Sequence, residues 1–314
     1  MKYIIPDLKL WVVLKGRVDF SLWRKTVFLN QAFSARTALV ASLLRNNHNK
    51  KGDGMKLSGK GIIVTGGAQG IGLGIVERLA AEGAAVGIAD LNLGAAQRAA
   101  EQIKVAGGRA IALEVDVSDR AAVQAGIARF VDKFGQLDCY FNNAGMNIPM
   151  PFLDITESNW DLIMRVNGLG VLIGIQEAAR QMIKQGTKGK IVNTASIAGR
   201  QGYADFAPYC ASKSSVISLT QAGARALAPQ GITVNGFSPG VVATPLWTKL
   251  DKDLMEMGVS EKEGEAMDAF SQAILLKRAA QPGDISGTAL FLASSDSDYV
   301  TGQIIPIDGG MILV

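Results

Sequence analysis

The sequence predicts an α/β fold with a single doubly wound parallel sheet, about seven strands, and helices on both faces. Short apolar runs rich in β-branched residues alternate with longer amphipathic segments from residue 55 to residue 314. A glycine-rich turn follows the first of these runs and leads directly into a helical pattern. The chain has 314 residues, of which 48% are hydrophobic and 19% charged, so one large domain can bury a substantial core.

The elements are predicted in chain order from the same patterns. The strands are Gly61 to Thr65, Ala84 to Ala89, Arg109 to Val115, Leu137 to Phe141, Lys190 to Ala195, Gly231 to Phe237 and Gln303 to Ile307. Six helices are predicted. They begin after Gly72, at Leu93 (to Val105), after the Ser118-Asp119 cap, at Asn159 (to Gln185), at Ala211 (to Leu227) and at Pro282. Because proline cannot donate to a central ladder, Pro306 predicts that the last strand lies at an edge.

Residues 1–54 differ in composition from the rest of the chain. They contain ten basic and three acidic residues, a net charge of +7, whereas the remaining 260 residues contain 22 basic and 25 acidic ones, a net charge of −3. The segment could be an organellar transit peptide, a surface-binding arm, or an over-extended gene start outside the mature protein. We expect the third. Met55 stands just before the first strand, and Lys51 to Gly54 can be encoded by a purine-rich ribosome-binding sequence.

Composition excludes several classes of function. The predicted domain, residues 55–314, is mildly acidic and has no nucleic-acid footprint. Apolar runs in the first 54 residues are far shorter than the roughly 20 residues of a membrane-spanning helix. The two cysteines are expected to be reduced core residues, and the only histidine, His48, lies outside the domain. We therefore expect a cytoplasmic protein with no nucleic-acid or membrane partner, no metal and no histidine-dependent catalysis.

The glycine-rich turn from Gly66 to Gly72 predicts a dinucleotide site. Glycines allow the backbone to approach a pyrophosphate closely, and the helix that follows presents its N-terminal N–H groups. The second strand ends at Asp90, eighteen residues beyond Gly72. A carboxylate there accepts hydrogen bonds from the adenosine ribose and repels a 2′-phosphate, so we predict NAD rather than NADP. The alternative for Asp90 is a helix N-cap near Asn92.

Tyr209 and Lys213 are four residues apart in a predicted helix and therefore share one face. Ser196 closes a predicted strand thirteen residues before Tyr209, at the sheet edge where α/β proteins bind ligands. An ammonium group near a phenol favours the phenolate, and lowering its pKa by about three units takes roughly 4 kcal/mol. Taken separately, Tyr209 and Lys213 could belong to an ordinary helix, and Ser196 could be a turn or cap hydroxyl.

Together these motifs resemble the short-chain dehydrogenase/reductase family. They are T-G-x-x-x-G-x-G at Thr65 to Gly72, N-N-A-G at Asn142 to Gly145, Ser196, Y-x-x-x-K at Tyr209 to Lys213, and Pro239-Gly240 followed by Thr244. The resemblance runs from about Met55 to the last residue. It implies a Rossmann-type fold and a dimer or tetramer formed through the two long helices, Asn159 to Gln185 and Pro208 to Ala228.

The resemblance also implies residue roles. Ser196 would hydrogen-bond the substrate oxygen, Tyr209 would exchange the proton, and Lys213 would hold the nicotinamide ribose and acidify the phenol. Asn167 would hold a water that links the lysine to solvent; without the resemblance it is a helix-interior polar residue. The expected cofactor-binding residues are Gly66, Gln69, Gly70, Ile71, Gly72, Asp90, Asp116, Val117, Asn143, Ala144, Gly145, Tyr209, Lys213, Pro239, Gly240, Val242 and Thr244.

The substrate site is expected beneath a lid at about residues 245–271. Its expected lining, besides the lid, is Met146, Asn147, Ile148, Arg200, Gln201, Tyr203 and Phe206. Within the family, Gly189 to Val216 and Asp298 to Gly310 are similar to bacterial acetoin/butanediol and polyol (sorbitol-type) dehydrogenases. This implies NAD-dependent interconversion of a small polyol or vicinal diol with its ketone. The alternatives are a 3-oxoacyl-thioester reductase and a non-catalytic dinucleotide-binding protein.

Overall fold

The computed structural model describes residues 54–313. The interpretations of the N-terminal segment and of His48 therefore fall on residues outside the described ones. Over the described range the chain forms one parallel sheet covered by helices on both faces, so the predicted fold class is confirmed.

Seven strands form the sheet in the order β3-β2-β1-β4-β5-β6-β7, and every pair is parallel. Their bounds are β1 Gly61–Thr65, β2 Ala85–Asp90, β3 Arg109–Glu114, β4 Cys139–Asn142, β5 Lys190–Thr194, β6 Thr233–Pro239 and β7 Ile304–Ile307. The strand carrying Pro306 lies at the edge, as predicted. The strand order reverses between β1 and β4, and ligands bind at such a switch point in open α/β sheets.

The helices occupy the connections between strands. Their bounds are α1 Gly70–Ala81, α2 Leu93–Val105, α3 Arg120–Phe134, α4 Glu157–Met164, α5 Gly170–Gln185, α6 Ala207–Leu227, α7 Pro245–Glu256, α8 Glu265–Ala273 and α9 Pro282–Ala293. The cap of α3 is Asp119, which accepts from the Ala121 N–H at 2.8 Å, whereas the Ser118 hydroxyl bonds to Asp116.

Alternating side chains of each strand enter two separate hydrophobic layers. Ile62 and Val64 of β1 belong to the layer beneath α1, α2 and α9, and Ile63 belongs to the layer beneath α3, α5 and α6. Because strand side chains alternate between faces, a near-continuous apolar run is buried on both sides. Cys139 and Cys210 are both buried and unpaired, as predicted.

The long helix predicted from Asn159 to Gln185 is interrupted, which corrects the sequence interpretation. A π-helical turn at Arg165–Leu169 separates α4 from α5. A π turn is a single widened turn within an otherwise regular helix, so the helical patterns on its two sides are interpreted as one helix from the sequence. The stretch Glu157–Gln185 is long and apolar enough to span a membrane by length and composition, but most of its apolar window is buried in the fold, as in a core helix.

Candidate active site

A cleft of about 370 Å³ crosses the carboxyl ends of the central strands. It collects every residue predicted to bind the cofactor: Gly66, Gln69, Gly70, Ile71, Gly72, Asp90, Asp116, Val117, Asn143, Ala144, Gly145, Tyr209, Lys213, Pro239, Gly240, Val242 and Thr244. Ser196 also lines it, whereas Asn167 lies behind its wall.

The glycine-rich turn forms one end of this cleft. Gly66 and Gly70 have positive φ angles of 60° and 54°, which glycine adopts without strain. A Cβ at Gly72 would lie 2.1 Å from the Gly66 carbonyl oxygen, so no side chain fits there. Gln69, the N-cap of α1, makes no side-chain cap hydrogen bond, which leaves the helix N–H groups available to an anion.

Asp90 is oriented by the backbone of its neighbours. Its Oδ2 accepts from the Ala68 N–H at 3.2 Å and its Oδ1 from the Asn92 N–H at 3.0 Å. The N-cap of α2 is Asn92, which accepts from the Ala95 N–H, so Asp90 does not cap the helix. Its carboxylate therefore ties the glycine-rich turn to the end of β2 at the cleft wall.

The Thr65 hydroxyl fixes the segment Asn142 to Gly145 at the middle of the cleft. It accepts from the N–H groups of Asn143 at 2.9 Å and Ala144 at 3.1 Å and donates to the Phe141 carbonyl oxygen. Sequence reasoning quoted Thr65 only as part of a motif and missed this role. The signal was available, since a hydroxyl residue at the end of a buried strand has few partners other than the neighbouring strand.

Ser196 and Tyr209 lie where this cleft joins a smaller cavity, and Lys213 lines the cleft beside Tyr209. The Lys213 Nζ donates to the Thr194 carbonyl oxygen at 2.8 Å and lies 5.7 Å from the centroid of the Tyr209 ring. Ser196 Oγ accepts from the Ala198 N–H at 3.2 Å and caps the short turn Ile197–Gly199. Ser196 thus fulfils the turn-cap interpretation and also lines the cleft.

Burial of Tyr209 opposes the acidification that the family resemblance implies for Lys213. Burial raises the pKa of Tyr209 to about 12, although the adjacent Ser196 hydroxyl acts to lower it. Burial also lowers the pKa of Lys213 to about 8. Desolvation disfavours the charged form of each group, the phenolate of Tyr209 and the ammonium of Lys213. The pair therefore favours a protonated phenol at neutral pH.

Asn167 holds the loop that follows the N-N-A-G segment. Its Oδ1 accepts from the Met146 N–H at 2.9 Å, and its Nδ2 donates to the Met146 carbonyl oxygen at 2.9 Å and the Ser212 hydroxyl at 3.0 Å. A Cβ placed on Gly145 would lie 3.3 Å from Asn167 Oδ1 and 3.4 Å from Lys213 Nζ. Asn167 and Lys213 therefore approach Gly145 closely.

Beyond Ser196 and Tyr209 lies a cavity of about 80 Å³ with mostly apolar walls. The residues that line it are Asn147, Ser196, Ile197, Ala198, Tyr203, Phe206, Tyr209, Gly240, Val241, Leu246, Trp247, Leu250, Phe270 and Met311. Phe270 of α8 contacts Trp247 and Tyr203 edge-on, with ring centroids 5.5 and 6.0 Å apart. The two helices of the lid, α7 with Trp247 and α8 with Phe270, thus close one side of the cavity.

Sequence reasoning named some lining residues wrongly. Arg200 donates to the Ile304 carbonyl oxygen at 3.1 Å and lies outside the small cavity, as do Ile148 and Gln201, while Met146 lines the larger cleft. It also missed part of the cleft wall, namely Leu91, Val115, Val166, Thr194 and Ala195, whereas Pro245 and Leu246 of the expected lid line the cleft as well. Thr194 and Ala195 could have been found, since they end a buried strand next to Ser196.

Fold and cleft together define a Rossmann-class protein that binds a dinucleotide at the switch point of a parallel sheet. Among the described residues, no group of three or more His, Cys, Asp or Glu side chains is placed to hold a metal ion. The features that define the class of protein are the dinucleotide cleft and the cluster of Ser196, Tyr209 and Lys213.

Comparison with known proteins gives the family. Residues 66–312 match the family described as enoyl-(acyl carrier protein) reductase. The chain is 42% identical over 253 residues to a diacetyl reductase, (S)-acetoin forming, of Staphylococcus epidermidis, covering 81% of this chain and 98% of that protein. It is 43% identical over 253 residues to L-2,3-butanediol dehydrogenase of Corynebacterium glutamicum, covering 80% and 97%.

A solved structure agrees with these relatives. NAD+-bound xylitol dehydrogenase superposes with a TM-score of 0.77 at 33% identity, over 81% of this chain and all of that one. The protein belongs to the short-chain dehydrogenase/reductase family, as its motifs indicated.

Proposed function

We propose that the protein is an NAD-dependent oxidoreductase that interconverts a secondary alcohol, in a small polyol or vicinal diol, with its ketone. The observation that carries this proposal is the position of Ser196 and Tyr209, which line both the dinucleotide-sized cleft and the small cavity. A substrate oxygen in the cavity would lie within reach of both hydroxyls, next to the cofactor cleft.

The cleft residues fit a dinucleotide. The open N-terminus of α1, from Gly70, would bind the pyrophosphate, and Asp90 would accept the adenosine ribose hydroxyls. Asp116 and Val117 would border the adenine, whereas Asn143 to Gly145, Pro239, Gly240, Val242 and Thr244 would enclose the nicotinamide end. When bound, the nicotinamide supplies a hydride donor or acceptor at C4.

Catalysis would follow from protonation states that the protein itself sets. In ketone reduction, the protonated phenol of Tyr209 would donate its proton to the carbonyl oxygen, which the Ser196 hydroxyl would also hydrogen-bond. In alcohol oxidation the same phenol would have to be deprotonated first. Lys213 would hold the cofactor ribose and Asn167 would connect it to solvent. Because the phenol and hydroxyl polarise the substrate oxygen, the residues require no metal.

The relatives support this substrate class over the alternatives. Two are named for diacetyl or 2,3-butanediol, and the structural neighbour is named for xylitol. A 3-oxoacyl-thioester reductase is a less suitable candidate, because Asp90 disfavours the NADP that this activity normally uses and the cavity is small. The complete set of Asn167, Ser196, Tyr209 and Lys213 disfavours a non-catalytic binding protein.

We also propose a cytoplasmic homotetramer or dimer. Large apolar side chains remain exposed on α4 and the π turn, including Trp160 at 43% and Leu169 at 41%. A shallow pocket between these elements and α6 is lined by Met164, Leu172 and Leu219 among others. An apolar helical face of this kind suits a second copy of the chain. Light scattering coupled to gel filtration would give the molecular mass in solution.

The proposed function is tested by NADH-linked turnover. We expect oxidation of small diols or polyols, and reduction of the matching ketones, with NAD(H) in preference to NADP(H). Absence of turnover with every diol, polyol and ketone offered would contradict the proposal. Turnover of 3-oxoacyl thioesters alone would favour the alternative.

A further inference from the structure

Four other residues of the small cavity's lining have hydrogen-bonding side chains, namely Ser196, Tyr203, Tyr209 and Trp247, and Asn147 is the one carboxamide among the lining residues. It is only 6% exposed, and its Oδ1 has no hydrogen-bond partner among the described residues. Burying an amide oxygen without a hydrogen-bond partner costs desolvation free energy, so such unpaired oxygens are rare in folded proteins. A ligand hydroxyl in the cavity would supply the missing donor.

The backbone on either side of Asn147 is held in place by two other asparagines. Asn167 bonds both the N–H and the carbonyl oxygen of Met146, and Asn159 Nδ2 donates to the Ile148 carbonyl oxygen at 3.3 Å. These bonds fix the backbone from which the carboxamide projects, which lowers the entropic cost of ordering the site when a ligand binds. Preorganised polar groups in an apolar cavity orient a ligand and give it specificity.

The rest of the cavity offers little to a strongly polar molecule. Its walls are mainly aromatic and aliphatic, from Phe206, Trp247, Leu250, Phe270 and others. Its volume of about 80 Å³ is far below the roughly 300–1,000 Å³ of pockets for drug-sized ligands, so it suits only a short chain. Hydroxyls placed against such walls would lose their hydrogen bonds to water without replacement.

We propose that the Asn147 carboxamide binds the oxygen adjacent to the reacting carbon, and so selects short vicinal diols and hydroxyketones with alkyl ends. This rests on the proposed function, in which Ser196 and Tyr209 bind the reacting oxygen. Polyols with a hydroxyl on every carbon are disfavoured by the apolar walls. Simple alcohols lack the second oxygen that Asn147 binds.

The first measurement compares three alcohols with the unmodified protein. We expect kcat/KM for 2,3-butanediol to exceed that for 2-butanol, which has the same carbon skeleton, by about 10- to 100-fold, as for one buried hydrogen bond. The kcat/KM for xylitol should be lower than that for 2,3-butanediol by a similar or larger factor. If neither butanediol nor any other alcohol is oxidised, the proposed function fails. If 2-butanol or xylitol matches the diol, this inference fails and the proposed function stands.

The second measurement uses Asn147→Leu, which is close in size and apolar, and Asn147→Ala. We expect kcat/KM for the diol to fall about 10- to 100-fold while that for 2-butanol stays within about threefold. Thr233→Val is the matched control, because Thr233 Oγ1 is also buried without a partner but lies on β6 outside the cavity. It should leave the diol-to-alcohol ratio unchanged. An equal fall for both alcohols in both Asn147 variants would overturn the inference.

Discussion

The Lys213 ammonium nitrogen lies over the face of the Tyr209 ring, 5.7 Å from its centroid, and donates to the Thr194 carbonyl oxygen. Both side chains are buried, and burial moves their pKa values apart, up to about 12 for the tyrosine and down to about 8 for the lysine. Both shifts favour uncharged groups. The geometry therefore provides a proton donor at neutral pH more readily than a base.

The pH dependence should differ between the two directions of the reaction. Oxidation needs the deprotonated form of Tyr209, whose pKa is raised, so its kcat/KM should rise from about pH 7 to about pH 10. Reduction needs the protonated form of Tyr209, which persists across this pH range. The kcat/KM of reduction should therefore change far less with the titration of Tyr209. Initial rates in both directions over this range provide the measurement. Oxidation that is independent of pH would contradict the assignment.

Removing the charge of Asp90 should weaken cofactor discrimination. Asp90→Asn keeps an oxygen that can accept from the Ala68 or Asn92 N–H but removes the charge that would repel a 2′-phosphate. We expect the ratio of kcat/KM with NAD to that with NADP to fall by about tenfold or more. Asp116→Asn, a second carboxylate of the cleft, is the control and should affect both cofactors alike. An unchanged ratio in Asp90→Asn would exclude this role.

Truncating the lid ring should affect the substrate and not the cofactor. Phe270→Ala removes the edge contacts to Trp247 and Tyr203 that close the cavity. We expect KM for the diol to rise about tenfold, while the Kd for NADH, measured by fluorescence, stays within about twofold. Met267→Ala, on the same helix α8 but outside the cavity, is the matched control. A rise in Kd without a rise in KM would contradict the lid interpretation.

Two glycine substitutions in helices should change stability in opposite directions. A Cβ at Gly174 would lie 1.9 Å from Asn142 Oδ1, beside a buried hydrogen bond from Asn142 to Asn193. Gly174→Ala should therefore lower the free energy of unfolding by about 1–3 kcal/mol. Gly287 of α9 is exposed with nothing near its Cβ position, so Gly287→Ala should raise it by about 0.5–1 kcal/mol. Urea unfolding measures both, and effects of the same sign would refute the packing argument.

Much of the fold and the cofactor cleft could be predicted because their signals are local. The alternation of strands and helices is visible in the sequence, and parallel strands place their carboxyl ends at one edge. Gly66 to Gly72, Asp90 and Asn143 each follow a recognisable strand, so topology alone brings them together.

The parts that could not be predicted depend on distances between remote segments. Asn147 and the lid residues Trp247 and Phe270 line the cavity as expected, but their mutual distances and the size of the cavity follow only from the folded structure. The π turn that contains Asn167 widens one turn of a helical stretch, which the helical pattern on either side does not reveal. The protonation state of Tyr209 depends on burial, which the sequence does not give; burial raises the pKa of the phenol, whereas the family resemblance implies that Lys213 lowers it.

The central claim is that the Tyr209 phenol exchanges the proton of the reaction. The direct test is NADH turnover by Tyr209→Phe, with NADH binding measured by fluorescence and Tyr299→Phe, at a fully exposed tyrosine, as the control. We predict that kcat falls by about 10²- to 10⁴-fold in Tyr209→Phe while NADH still binds and the control keeps its activity. A Tyr209→Phe variant that binds NADH and retains kcat within about threefold would contradict the claim.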